Sequence, residues 1–510
     1  MVQGTGSSVG KSVLVTALCR IFAQDGYRTA PFKSQNMSLN AGVTPDGKEM
    51  GRAQIVQAEA AGVAPTVEMN PILLKPEADH RSQLVVMGRP DGNLASKDYA
   101  SRRTRLWGTV TSALDTLRSQ YDVVVIEGAG SPAEINLRKG DIVNMEIALH
   151  LNSPVLLVGD IDKGGVFASL YGTVALVSEP ERELVKGIII NKFRGDISLL
   201  NPGLPQLEEL TGVPVLGVVP YFTDIYVPEE DAAQEARTVM SSNQQARALD
   251  VAVVTLPHIS NFDDFDPIAR ESGVNLRYAR FPSQLGTPDL LIIPGTKTTA
   301  DDLAYLRSTG FAQEIVRLAN TGTSVIGVCG GFQMLGARIL DPDRLESQIA
   351  ESDGLGLVGV ETRFSDDKQT SLIEGEVTEA RGLLEGALGC RFEAYEIHMG
   401  QTVPIGTGNL RVDPALSVRV RSGKNSDGVI GYLSEDGWTL GTYTHGMFND
   451  TRLRRAILGN AARRKGGTLR FDEDSFSQSH EYDKLADHVR SSIDMSRVRE
   501  SMGLQSMGIS

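Results

Sequence analysis

Short apolar runs, recurring with helix-like stretches between them, set the tightest limit on what this chain can fold into. Residues 123–126, 155–158 and 188–190 are apolar from end to end, mostly Val, Ile and Leu. A strand with no polar face has to be covered on both sides. A parallel sheet flanked by helices provides that cover. A second series follows at residues 251–255, 290–293 and 325–328. Two such series in 510 residues predict an α/β chain of two domains, each large enough to bury its own core.

The character of the sequence changes near Pro228. Residues 229–249 are polar, rich in Glu, Gln, Ala and Ser, without a strong apolar period. They read as a linker, 231–249, between a first domain at 1–230 and a second at 250–462. Residues 341–368 read as an excursion from the second domain. From about Arg463 the chain is charged and polar, and 463–510 reads as a tail carrying one or two surface helices. Three widely separated cysteines make no disulfide framework, and a reducing, cytoplasmic setting is the expectation. No stretch approaches the ~18 apolar residues that span a bilayer. The first residues are already a loop of functional type, so no signal peptide is expected. A net charge of −14 argues against nucleic acid as a partner. It leaves phosphate ligands open, because backbone dipoles hold those.

Gly4-Thr5-Gly6-Ser7-Ser8-Val9-Gly10-Lys11-Ser12 ends as phosphate-binding loops do. Its first glycine stands one residue further out than in the common spacing. An apolar-periodic helix follows (Val13, Leu14, Ala17, Leu18, Ile21). Backbone N–H groups from Gly4, Thr5 and Gly10 onward would cradle the phosphates, and the helix dipole favours their charge. Lys11 would reach the β- and γ-phosphates of ATP, and Ser12 would ligate Mg²⁺. The strand before the loop is short, only Met1-Val2-Gln3. Glu127 stands at the tip of the run 123–126, where a second Mg²⁺ ligand belongs. Asn191, after the run 188–190, is placed to read an adenine edge. Lys33, Gln35 and Asn36 lie in a polar stretch, 33–38, where substrate loops or plain surface loops occur. The Asp160-Ile161-Asp162-Lys163 stretch also follows a strand.

Cys329 sits in Gly327-Val328-Cys329-Gly330-Gly331, between an apolar run and a helix pattern beginning at Phe332. This is the cysteine counterpart of the nucleophile elbow. Glycines on both sides permit the sharp strand-to-helix turn, and the helix start favours a thiolate and offers N–H groups to an oxyanion. A nucleophilic cysteine needs a base. His445 follows a strand-like stretch and is flanked by small residues. His398 is the alternative. The Gly295 N–H, at the tip of the run 290–293, would pair with the Gly330 N–H as an oxyanion hole. These parts describe a class I glutamine amidotransferase domain, flavodoxin-like, behind a P-loop parallel-sheet synthetase domain.

The chain resembles the cobyric acid synthase family over residues 1 to about 460. The resemblance rests on Val2-Gln3-Gly4-Thr5, Pro31-Phe32-Lys33-Ser34-Gln35-Asn36-Met37-Ser38, Gly51-Arg52-Ala53-Gln54, Asn70-Pro71-Ile72-Leu73-Leu74-Lys75-Pro76, Tyr395-Glu396-Ile397-His398-Met399-Gly400 and Tyr443-Thr444-His445-Gly446. The first half is similar to dethiobiotin synthetase in fold and loop style. The resemblance implies that Cys329 attacks the glutamine side-chain amide, with His445 relaying protons and ammonia passing to the first domain. There, ATP and Mg²⁺ would activate the b, d, e and g carboxylates of adenosylcobyrinic acid a,c-diamide, a corrinoid, for amidation. Class I relatives carry Glu two residues after the catalytic His. Here that residue is Met447, and Asp450 and Glu396 are the candidates to replace it.

Three rivals stand beside this reading. Cobyrinic acid a,c-diamide synthase shares both domains, and the 35–38 loop and the 51–54 motif weigh against it. A partitioning-type ATPase switch carries an extra Lys early in its phosphate loop, where this chain has Thr5-Gly6-Ser7, and lacks the cysteine elbow. A cysteine peptidase leaves the phosphate loop unexplained.

Overall fold

The computed structural model describes residues 1–78, 81–95, 99–228, 249–405, 411–473 and 476–504. The linker expected at 231–249 lies outside the described residues apart from Leu249, which opens a strand. The chain forms two compact units. One comprises Met1–Ser38, Met50–Asp231 and Phe476–Ser510; the other comprises Leu39–Glu49 and Ala232–Ser475.

The first unit is built on parallel strands. Val2–Gly4, Val155–Asp160, Val185–Phe193 and Val215–Pro220 lie side by side in that order. Thr29–Phe32 pairs with Val123–Ile126, and a parallel bridge from Val2 to Glu127 joins the two sets. The short first strand is therefore central, with Val2 fully buried and neighbours on both sides. The helix Lys11–Gln24 buries Leu14, Val15, Leu18, Ile21 and Phe22 against the sheet. A smaller sheet, Gln35–Met37, Ile72–Ala78, Arg81–Val86 and Arg89–Ala95, carries the polar 33–38 stretch.

The end of the chain differs from the surface tail expected of it. Helices Gln478–Arg490 and Met495–Ser501 bury Leu485, Ala486, Val489, Met495 and Val498 in the same core as Val2 and Leu18. An apolar stripe at helical spacing is enough to bury one face, however charged the other is. The charged face is itself used, as in the 2.7 Å pair of Arg20 with Asp483.

The second unit has one large sheet. Val274–Ala279, Leu249–Val254, Leu290–Ile293, Ser324–Val328 and Thr439–Thr442 are parallel in that spatial order. The sheet continues with Lys424–Ser434, Val412–Arg421 and Val360–Val377, and Arg391–Pro404 pairs along the last of these. The stretch read as an excursion, 341–368, is part of the sheet instead, through Glu351–Asp353 and the start of Val360–Val377. The hairpin Leu39–Glu49, taken from the early part of the chain, folds with this unit. Its turn, Thr44-Pro45-Asp46-Gly47-Lys48, is closed by Thr44 N–H to Lys48 O at 2.8 Å.

All three cysteines are free and buried. Among the described residues no helix is long and apolar enough to cross a membrane.

Candidate functional site

Two constellations stand out, one in each unit. In the first, the glycine-rich loop leaves the strand Val2–Gly4 and enters the helix at Lys11. Gly10 takes φ +94°, a left-handed conformation that glycine adopts without strain. A Cβ there would lie 2.2 Å from the Asn191 amide nitrogen, so the loop and the strand end Asn191 are in close approach. Asn191 donates to Val9 O at 2.9 Å and braces the loop. Lys11 is buried and donates to the carbonyls of Gly6, at 2.8 Å, and Gly130, at 3.3 Å. Thr5 N–H is tied to Val158 O at 2.9 Å.

Glu127 is the hub beside that loop. It is buried, and its Oε1 accepts from Ser12 Oγ and from Lys33 Nζ, each at 2.8 Å. Its Oε2 accepts from Gln57 Nε2 at 2.6 Å. Burial pushes the Glu127 carboxyl up, but the Lys33 ammonium and the three hydrogen bonds outweigh it and hold the group below its ordinary range. A serine hydroxyl and an ionised carboxylate next to a phosphate loop form a hard-oxygen donor pair, which fits Mg²⁺. Gln57, on the helix Arg52–Ala61, was not among the residues read from sequence. Of the 33–38 stretch, Lys33 reaches this hub. Gln35 and Asn36 lie on the strand Gln35–Met37, and Asn36 donates to Gln54 at 3.2 Å. Asp160 and Asp162 hold Lys192 at 3.0 Å and Arg194 at 3.1 Å. A cleft of about 710 Å³ opens at this strand edge, lined by Arg194, Tyr221, Ile197 and their neighbours.

In the second unit, Cys329 sits between the strand Ser324–Val328 and the six-residue helix Gly330–Leu335. Its φ of +50° is costly for a side chain with a Cβ, and neighbours on several elements hold it there. Its N–H donates to Thr442 O at 2.7 Å. A Cβ on Gly331 would lie 2.1 Å from Ile293 O, so only glycine lets the elbow seat against the neighbouring strand. The Gly330 N–H opens the helix and has no partner within it. Gly295, at the tip of the adjacent strand, lies against the His445 ring.

His445 is the histidine that meets Cys329. It is buried, stacked on Tyr395 at 5.3 Å, and bonded through Nδ1 to Asp264 Oδ2 at 2.7 Å. The other Asp264 oxygen accepts the Gly446 N–H at 2.9 Å. Burial works to lower the imidazole pKa. The Asp264 charge and hydrogen bond, with the contact to Cys329, overcome it and push His445 up to about 10. Burial raises the Asp264 carboxyl.

Asp264 is the acid behind His445, and neither sequence candidate takes that place. Asp450 caps the helix Thr451–Arg464 by accepting Leu453 N–H at 2.7 Å. Glu396 is buried against Arg421 at 2.6 Å. Met447 accepts a weak hydrogen bond from Thr444 at 3.3 Å. His398 stacks on Tyr443 at 3.7 Å and bonds Gly400 O at 2.8 Å.

Beside the elbow, Gln333 Oε1 accepts from Thr299 Oγ1 at 2.8 Å and its Nε2 donates to Tyr443 at 3.2 Å. Thr299 also holds Glu346, whose carboxyl burial pushes up to about 7. The arrangement is a cysteine nucleophile, a histidine held protonated by a carboxylate, and a helix start at the sulfur, which suits acyl transfer.

Comparison with known proteins matches this division. Residues 1–232 match the model of the CobQ/CobB/MinD/ParA nucleotide binding domain. Residues 250–453 match that of the CobB/CobQ-like glutamine amidotransferase domain. A cobyric acid synthase of Dehalococcoides mccartyi (strain CBDB1) is 50% identical over 500 residues, 98% of this chain and 97% of that one. One of Citrobacter koseri is 48% identical over 503 residues, with 98% and 97% covered. One of Alkaliphilus metalliredigens is 48% identical over 499 residues, with 97% and 98% covered.

Proposed function

The chain belongs to the cobyric acid synthase family and is a glutamine-dependent ligase, and on that footing we propose that it uses ATP and Mg²⁺ to amidate the b, d, e and g carboxylates of adenosylcobyrinic acid a,c-diamide. The observation that carries the reading is that the chain holds both half-reactions: a Cys329–His445–Asp264 triad in one unit and a phosphate loop with Glu127 in the other. A free carboxylate is a poor electrophile and ammonium is no nucleophile. The enzyme has to make both reactive species and keep water from them.

In the glutaminase, the Cys329 sulfur attacks the side-chain amide carbon of glutamine. The Gly330 and Gly295 N–H groups face the developing oxyanion. The His445 imidazolium gives its Nε2 proton to the departing nitrogen, and ammonia leaves with a γ-glutamyl thioester behind it. Neutral His445 then takes a proton from water, whose attack on the thioester frees glutamate and expels the Cys329 thiolate, which restores the thiolate–imidazolium pair. Asp264 holds the ring in the tautomer with Nδ1 protonated throughout.

In the synthetase, ATP with Mg²⁺ supplies the phosphoryl group that turns a substrate carboxylate into an electrophile for ammonia. Lys11 and the loop N–H groups would hold the phosphates, Ser12 and Glu127 would furnish the metal's protein ligands, and Lys33 counters the charge of Glu127. Asn191 braces the loop and turns its amide carbonyl to the adenine edge. Gln35 and Asn36 belong to the corrinoid side of this unit. The setting we assign is cytoplasmic, in line with free thiols.

The test is a pair of variants. Cys329→Ser abolishes glutamine-driven amidation and keeps ammonia-driven amidation, and Lys11→Ala loses both. Glutamine-dependent turnover by Cys329→Ser, or normal ATP use by Lys11→Ala, contradicts the reading. Product amidated at the a and c positions overturns the substrate.

A further inference from the structure

The carboxylate that orients His445 stands in a short 3₁₀ turn, Phe262–Phe265. Asn261 starts that turn with φ +50°, and its carbonyl accepts the Asp264 N–H at 3.1 Å. What holds Asn261 comes from far away in sequence. Asn261 N–H donates to Asn40 Oδ1 at 2.7 Å, and Ala41 N–H donates to Asn261 Oδ1 at 3.0 Å. Both asparagines are buried, each 4% exposed, so this reciprocal clasp is shielded from competing water. A second tie fixes the other end of the hairpin. Glu49, 1% exposed, pairs with Lys368 at 2.5 Å. Gly47, at φ +79°, lies so close to Ser422 that a Cβ there would come within 2.9 Å of its hydroxyl.

The hairpin so held is Leu39–Glu49, which folds with the glutaminase although the chain on either side of it does not. Two residues before Asn40 is Ser38, the end of the stretch that begins with Lys33. Three residues after Glu49 is Arg52, the start of the helix carrying Gln57. Lys33 and Gln57 both bond Glu127. A tether this short transmits a displacement at either end to the clasp, because extended chain gives no more than about 3.6 Å per residue of slack.

We infer that the hairpin Leu39–Glu49 is a positioning and coupling element of the glutaminase: the Asn40–Asn261 clasp sets the turn that carries Asp264, so glutamine hydrolysis follows the state of the Glu127 site. The inference rests on the functional reading above. Asn40 and Asn261 touch no substrate and act through Asp264. The coupling needs only that the turn have a looser arrangement, in which Asp264 no longer faces Nδ1.

The test measures glutamine hydrolysis by wild type, Asn40→Ala and Asn40→Asp, each with and without ATP-Mg²⁺ and cobyrinic acid a,c-diamide, and ammonia-driven amidation by all three. Wild type hydrolyses glutamine faster when ATP and the corrinoid are present. Asn40→Ala loses about 10–100-fold in kcat, the scale of a misplaced catalytic group, with KM for glutamine unchanged. It shows no stimulation, and its activity falls off at lower pH on the basic side. Asn40→Asp keeps an oxygen acceptor for the Asn261 N–H and restores rate, stimulation and pH profile. Ammonia-driven amidation is the same in all three, which reports an intact fold. Wild-type kcat in Asn40→Ala, stimulation that survives in it, or failure of Asn40→Asp to rescue overturns the inference and leaves the functional reading standing. A wild type that amidates with neither nitrogen source overturns the functional reading itself.

Discussion

The substitution Asp264→Asn removes one charge and keeps the shape. The His445 imidazole stands at about 10 against an ordinary 6.5, and each pKa unit is 1.36 kcal/mol, so its charged form is favoured by about 5 kcal/mol. Burial opposes that rise, and the Asp264 charge and 2.7 Å hydrogen bond are the leading contributions that produce it. The asparagine side chain offers a neutral carbonyl, or an amide N–H that stabilises the wrong tautomer. On the order of 3–5 kcal/mol of orientation and charge is lost, and kcat for glutamine hydrolysis falls about 10²–10⁴-fold. The direction with pH follows. The imidazolium must survive to protonate the leaving nitrogen, so lowering its pKa brings the basic limb of the profile to lower pH. A glutaminase assay across pH reads both effects, and ammonia-driven amidation serves as the control for folding. A variant within about threefold of wild-type kcat, with an unmoved basic limb, refutes the assignment of Asp264, because losing the carboxylate that orients a triad histidine costs at least about 10²-fold.

Two further substitutions probe the packing beneath each site. Lys33→Gln strips the cation from buried Glu127 and costs about 3–5 kcal/mol at neutral pH. Glu127 is held below its ordinary range, so its contribution is present above the unfolded pKa and lost as pH falls through the folded one. The Tm deficit of Lys33→Gln is therefore largest at neutral pH and shrinks in acid, and equal Tm values at neutral pH contradict it. Gly331→Ala puts a Cβ 2.1 Å from Ile293 O, which forces the elbow to move and abolishes glutamine hydrolysis. Gly108→Ala, in the helix Tyr99–Gln120 with nothing within 4 Å, leaves activity intact and raises Tm slightly; the opposite ranking in thermal melts and glutaminase assays counts against the clash.

The elbow and the phosphate loop were legible because each is a local pattern, glycines and one reactive side chain within a few residues of a buried strand. The three-residue first strand is short for one that precedes such a loop. It suffices because neighbours on both sides pair with it. Asp264 carried no such signal. It lies 181 residues before His445, beside two other aspartates, Asp263 and Asp266, that nothing local sets apart from it, and its role exists only once two chain segments meet. The candidates near His445 in sequence were drawn instead to local work, Asp450 to a helix cap and Glu396 to Arg421. The C-terminal helices were masked by composition, since their charges outnumber the stripe of Tyr482, Leu485 and Val489 that buries them. Gln57 and the Asn40–Asn261 clasp are likewise products of the fold, made of residue types that give no warning in one dimension.

The central claim is that nitrogen released at Cys329 ends in an amide of the corrinoid. Glutamine labelled with heavy nitrogen in its side-chain amide tests it, with ATP, Mg²⁺ and adenosylcobyrinic acid a,c-diamide, read by mass spectrometry of the product. The account predicts one heavy nitrogen for every carboxylate converted, in the presence of excess unlabelled glutamate. A product that carries no label, or label released as free ammonia with the corrinoid unchanged, would contradict it.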